Sequence, residues 1–131
     1  MNSKDIGDKT VALVMAALIR QGKTLLLPFG DNRRYDLAID EGGQLIRVQC
    51  KTARFYNGAV TFKTCSTYRH RGHSSRCYRG EAELFGVYCP ETDKVYLVPV
   101  NEVGQSEAIL RVEPAKGGQK KGIRLAELYE I

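Results

Sequence analysis

The stretch YDLAIDEGGQLIRVQCK, residues 35 to 51, constrains this chain more than any other. Two runs of β-favouring residues flank Gly42 and Gly43. A Gly-Gly pair between such runs signals a tight hairpin, because primed turns need positive φ at their central residues. With Gly42 and Gly43 at the centre, Glu41 faces Gln44. Equal steps outward then bring Asp36 opposite Gln49. Opposed residues share a face, and Lys51, two residues beyond Gln49, shares it too. A carboxylate, an amide and an ammonium therefore converge. A one-residue slip of register would scatter them.

The other face is apolar. Ile46, Val48 and Cys50 alternate with Arg47, Gln49 and Lys51, and Leu37 and Ile39 lie opposite to Asp36. The apolar face reads as core. The polar face has two readings: a solvated surface with one ion pair, or a site.

Around the hairpin, the pattern predicts an α/β (mixed α+β) fold: a central, mostly antiparallel sheet flanked by an N-terminal helix. Val11, Val14, Met15, Leu18 and Ile19 recur at helical spacing as one apolar stripe. Ser3 or Asp5 is expected to cap this helix, and Gly22 to end it. KTLLLP reads as a short buried strand, and PFGDNRR as a loop. GAVTFKT reads as a third strand continuing the meander. STYRHRGHSSRCYRGE reads as a long polar loop. LFGVYCP and KVYLVPV form a second hairpin around ETDK, read as core rather than as an interface. AILRVEP adds a strand and GIRLAELYEI a short closing helix. The 131 residues fit one domain, 1–131.

Composition excludes some classes. At 43% hydrophobic, the chain can build a core. It has no run of about 18 apolar residues, so no membrane-spanning helix is expected. MNSKDIGDKT lacks the apolar region of a signal peptide, so a cytoplasmic, intracellular setting is expected. The cysteines Cys50, Cys65, Cys77 and Cys89 show no CxxC spacing and read as reduced thiols. Twenty Lys and Arg against 15 acids leave a net charge of +5. Many of these cations cluster between 47 and 79 and in KGGQKKGIR, a distribution suited to a phosphate polymer.

On these residues the chain resembles the PD-(D/E)XK nuclease superfamily, and most of all its group I intron-associated homing endonuclease branch. The resemblance runs in order through KDIGDKT, LLPFGDNRRYDLAID, IRVQCKTAR, YRGEAELFGVYCP and VYLVPV. The superfamily pattern is an Asp at the end of one strand and (Asp/Glu)-x-Lys on the next. This branch resembles a variant with Gln in place of the second acid, here Asp36, Gln49 and Lys51.

The resemblance implies a Mg²⁺-dependent endonuclease acting on double-stranded DNA, with Mn²⁺ able to substitute. Asp36, the Gln49 amide and the Cys50 backbone carbonyl would hold the ion, and Lys51 would be catalytic. These hard oxygen donors suit Mg²⁺. The family's helix carries a Glu at the position of Val11, so this chain departs from the pattern there. Asp8, one turn earlier, is the candidate substitute. Arg33, Arg34 and Arg54 are expected near the scissile phosphate. Arg69, Arg71, Arg76 and Arg79 are expected to reach a groove, and Lys120 and Lys121 to add basic contacts. Reading a long DNA site with so short a chain implies a homodimer or homotetramer. No membrane and no small-molecule substrate are expected. Two alternatives stand beside this: a non-catalytic DNA-binding protein, and a structure-selective junction resolvase. Cys65, His70, His73 and Cys77 could instead bind zinc, though their spacing fits no standard finger.

Overall fold

The computed structural model of the chain describes residues 1–30, 32–68, 74–114, 116–118 and 122–131. Helix α1 spans Ser3–Arg20. Its cap is Asn2 rather than the expected Ser3 or Asp5: the Asn2 side chain accepts from the Asp5 N–H at 2.9 Å. Asp5 keeps a role, as a negative charge in the first turn beside the helix's positive end. The Gly22 N–H closes the helix on the Ile19 carbonyl. The buried line is Thr10, Val14 and Leu18, with Val11 and Met15 at its edge. Ile19, expected in the stripe, is 57% exposed. Polarity hid Thr10, which is buried because its hydroxyl hydrogen-bonds Thr52 at 2.6 Å.

The main sheet holds β1 (Thr24–Leu26), β2 (Leu37–Glu41), β3 (Gln44–Thr52), β8 (Leu84–Cys89) and β9 (Lys94–Pro99), in the order β1-β2-β3-β8-β9. Only the β3–β8 pair is parallel. The hairpin register is the expected one, with Glu41 opposite Gln44 and Leu37 opposite Val48. Gly42 and Gly43 both take positive φ, as the tight turn requires. β1 is a sheet edge rather than a buried strand. Leu25 packs on the helix side, while Leu26 and Leu27 are exposed, because an edge strand has one neighbour and little cover.

The third strand does not continue the meander. β5 (Ala59–Lys63) pairs with β4 (Arg54–Tyr56) and β10 (Glu107–Arg111) in a separate sheet of order β10-β5-β4. The chain leaves the main sheet after Thr52 and turns into this second sheet within a residue. The long polar loop also carries structure. β6 (Cys65–Tyr68) and β7 (Ser74–Cys77) pair as an antiparallel ribbon, with Cys65 opposite Cys77. The runs CSTY and SSRC are mostly polar, so they offer no apolar alternation to read. At the C-terminal end the expected helix is a single 3₁₀ turn, Ala126–Leu128. The tail then runs beside β9, where Leu97 donates to Tyr129 and Ile131 donates to Val95. Pairing of the β9 edge outcompetes the helix.

Two cores result. Val14, Leu18, Leu37, Ile39, Val48 and Cys50 pack between α1 and the main sheet. A Cβ on Gly86 would lie 2.7 Å from Val14 Cγ1, so this glycine lets the helix approach β8. Phe85, Val87, Tyr96 and Val98 pack from the sheet's other side against Val60, Phe62 and Leu110 of the second sheet. The second hairpin is thus core, as expected. The polar face of β3 is therefore not an open solvated surface. Its sheet is covered on that side too, and the three polar residues sit half-buried at the margin. No described helix is long and apolar enough to cross a membrane.

Candidate active site

β2 ends one residue before the site. Regular pairing begins at Leu37 opposite Val48, and the chain bends at Asp36. The Asp36 N–H donates to the Val48 carbonyl at 2.8 Å. Its carboxylate Oδ2 accepts from the Cys50 N–H at 2.8 Å. A side chain thus satisfies a β3 donor that has outrun its partner strand. In an antiparallel ladder, one residue's N–H and C=O face the same neighbour. The Cys50 carbonyl therefore faces the gap that the Asp36 carboxylate occupies. The Gln49 side chain lies against that carbonyl, with Nε2 at 3.3 Å from Cys50 O. The amide's two ends are exchangeable by rotation, so the same group can present oxygen to this space.

Asp36 is held above the ordinary carboxylate range. Burial is the dominant cause, and the Cys50 N–H and the charge of Lys51 only partly offset it. Among the described residues, no Lys or Arg forms an ion pair with it. An under-compensated carboxylate beside a backbone carbonyl that only a side-chain amide contacts is a donor set for a hard cation that keeps some water. The residues present fit such an ion. Among the described residues no group of three His, Cys, Asp or Glu gathers. The set has one charge and two neutral oxygens, so it is a weak site. The Cys50 thiol is not a ligand. Burial and the nearby Asp36 charge push its pKa far up, so it stays a protonated core thiol.

Lys51 projects one residue beyond. Its ammonium donates to the Tyr78 hydroxyl at 3.2 Å and to the Cys65 carbonyl at 3.3 Å. Val11 packs at the edge of the apolar cluster that contains Cys50. Asp8 does not replace the missing acid: its side chain is 71% exposed and pairs with Lys4 at 3.7 Å.

The model of the PD-(D/E)XK endonuclease family matches residues 1–131. The chain belongs to that family. It is also similar to the solved structure of a bacterial homing endonuclease, I-Ssp6803I, with a TM-score of 0.80 and 26% identity. That match covers 99% of this chain and 89% of the other. No curated protein matches the chain.

The candidate residues Asp36, Gln49 and Lys51 thus sit where two strands part, and the expected basic residues spread around them unevenly. Arg33 is exposed and lines an open cleft of about 550 Å³ with Asn32, Tyr35 and Arg47. Arg34 turns inward. It donates to Ser66 Oγ at 2.5 Å and to the Cys77 carbonyl at 2.8 Å. Its Nε is buried and lies 3.4 Å from a Glu81 oxygen, outside hydrogen-bonding geometry. Arg76 pairs with Glu81 at 2.7 Å, and Arg79 donates to the Val103 carbonyl at 3.1 Å. Arg54 lines a separate surface pocket with Lys9 and Thr10 of α1 and Thr52 of β3. Arg69, Arg71, Lys120 and Lys121 lie outside the described residues. So do His70 and His73, and with them the zinc reading. The four cysteines are free.

Sequence reasoning missed Tyr78, Glu81 and Glu83. The Glu83 carboxylate accepts from both the backbone N–H and the guanidinium of Arg47, and the pair holds Glu83 below the usual carboxylate range. A Tyr flanked by Arg in RCYRG was the available signal for Tyr78, since aromatic rings beside cations are stacking partners.

Proposed function

We propose that the chain is a Mg²⁺-dependent endonuclease that cuts double-stranded DNA at specific sites. One observation carries this reading: the Asp36 carboxylate, the Cys50 carbonyl and the Gln49 amide meet at an unpaired edge of β3, next to Lys51. A divalent ion held there, Mg²⁺ or Mn²⁺, would supply Lewis acidity at the scissile phosphate. Asp36 brings the charge that favours such an ion, and its raised pKa makes the site pH-dependent. Lys51 donates to a phosphate oxygen as negative charge grows in the transition state. Arg33 in its open cleft meets backbone phosphates, where a guanidinium binds bidentately. A homodimer or homotetramer would present two such edges to the two strands of a symmetric site.

Val11 favours a second reading, a DNA-binding protein with a disabled site. An apolar residue stands where the family carries a Glu, and it packs, half-buried, against the edge of the core. The test is cleavage of a diverse DNA pool with Mg²⁺ or Mn²⁺ by this chain and by Val11→Glu. Cleavage by both supports the nuclease reading, with the helix acid dispensable. Cleavage by the Glu variant alone supports the disabled-site reading. If neither cuts and neither binds DNA in a salt-dependent way, both readings fail.

A further inference from the structure

Tyr78 links the site to the ribbon. It follows β7 directly, and it is 4% exposed. Phe85 meets its ring edge-on at 5.7 Å, with planes at 88°, so the ring is packed in the core. The Lys51 ammonium lies 4.7 Å from the ring centroid and donates to the ring's hydroxyl. The same ammonium donates to the carbonyl of Cys65, the first residue of β6. On the same ring, the Arg34 guanidinium lies 3.9 Å from the centroid. Arg34 stands two residues before Asp36 and donates to the Arg76 and Cys77 carbonyls at the end of β7. One packed ring therefore holds a cation from β3 and a cation from the segment leading into Asp36.

A lysine has a long flexible stem and points precisely only when something holds its end. We propose that Tyr78 is a positioning residue for Lys51, and that the base of the β6–β7 ribbon is part of the cleavage machinery rather than a surface appendage. Its hydroxyl and ring, with the Cys65 carbonyl, keep the ammonium beside the donor edge of β3. This rests on the reading of Lys51 as the site's cation and extends it. Seating of the ribbon, latched by Arg34, and orientation of Lys51 are then one event.

The experiment is a set of crystal structures of this chain, Tyr78→Phe and Tyr78→Leu, with single-turnover cleavage, DNA affinity and melting temperature measured beside them. Cleavage is measured on this chain or on the Val11→Glu background, whichever cuts. The Phe variant keeps the ring and loses the hydroxyl, so the rate at saturating DNA should fall about tenfold. The Leu variant loses both, so the ammonium should leave the Cys65 carbonyl and the rate should fall about a hundredfold. DNA affinity should not change in either. A purely structural tyrosine would instead lower melting temperature and affinity together with rate. The proposal is overturned if the Lys51 ammonium keeps its place in the Leu variant, or if saturated rates match the parent. If Tyr78→Leu does not fold, Tyr78→Phe decides: an unchanged rate overturns the proposal, and a slower rate at unchanged melting temperature supports it. If no background cuts, the nuclease reading falls, and the ammonium's position in the crystals still decides the positioning role.

Discussion

The two faces of β3 follow opposite rules. Toward α1, Val48 and Cys50 meet Val14 and Leu18 in a closed apolar cluster. Every group there is satisfied by burial. On the other face, Gln49 and Lys51 stand half-buried, and beside them at the strand margin Asp36 carries a charge that burial opposes and the Lys51 charge only partly offsets. The first face stores stability. The second holds an electrostatic deficit, and such deficits mark sites that act on a ligand. The contrast predicts that substitutions on the two faces separate cleanly into loss of activity and loss of fold.

The largest effect should come from Lys51→Ala. Removing a cation aimed at developing charge is expected to slow cleavage at least about a hundredfold, with DNA affinity and melting temperature close to the parent's. Single-turnover rates and a binding titration check this. Normal cutting by the variant would break the contrast at its functional end, because the polar face would then be ordinary surface. On the helix side, Leu18→Ala should cost about 3 kcal/mol of stability, the usual cost of removing a fully buried leucine. Chemical denaturation measures it. The residual folded protein should cleave or bind DNA with unchanged constants. A large change in DNA affinity at that position would mean that the two faces are not independent.

How much was legible follows from the same contrast. The hairpin register was readable because Gly-Gly fixes the turn and strict alternation fixes the face. Those two facts placed Asp36, Gln49 and Lys51 near one another. Their surroundings were less readable. The bend at Asp36 depends on where β2 stops pairing, and nothing in YDLAID announces that the carboxylate, rather than another strand residue, takes the Cys50 N–H. The separation of β4 and β5 into a second sheet depends on packing against Phe85 and Val87, which are distant in sequence. Thr10 was invisible to a hydrophobic pattern, since its burial is justified by a single hydroxyl partner. The ribbon was hidden for a related reason. Its order comes from Arg34 and Tyr78, contacts made across 30 residues or more, and not from any local period.

Asp36→Asn gives the smallest effect and the finest test. The folded chain holds the Asp36 proton more tightly than the unfolded chain does, because burial raises the carboxyl above its ordinary 3.8. Stability is then lost as pH rises from below 3.8 through the raised folded value, and at neutral pH the whole penalty is present. An amide carries no such penalty, and its oxygen can still accept from the Cys50 N–H. Asp36→Asn should therefore melt higher than the parent at neutral pH, and the difference should shrink as the solution is acidified. Mg²⁺ should narrow the same gap from the other side, raising the parent's melting temperature and leaving the variant's unchanged, because binding to the folded state alone stabilises it. Melting curves across pH, with and without Mg²⁺, read both effects. The opposite sign, a variant that melts lower at neutral pH and converges on the parent in acid, would mean that Asp36 is a compensated structural carboxylate. The polar face of β3 would then be as closed as the apolar one.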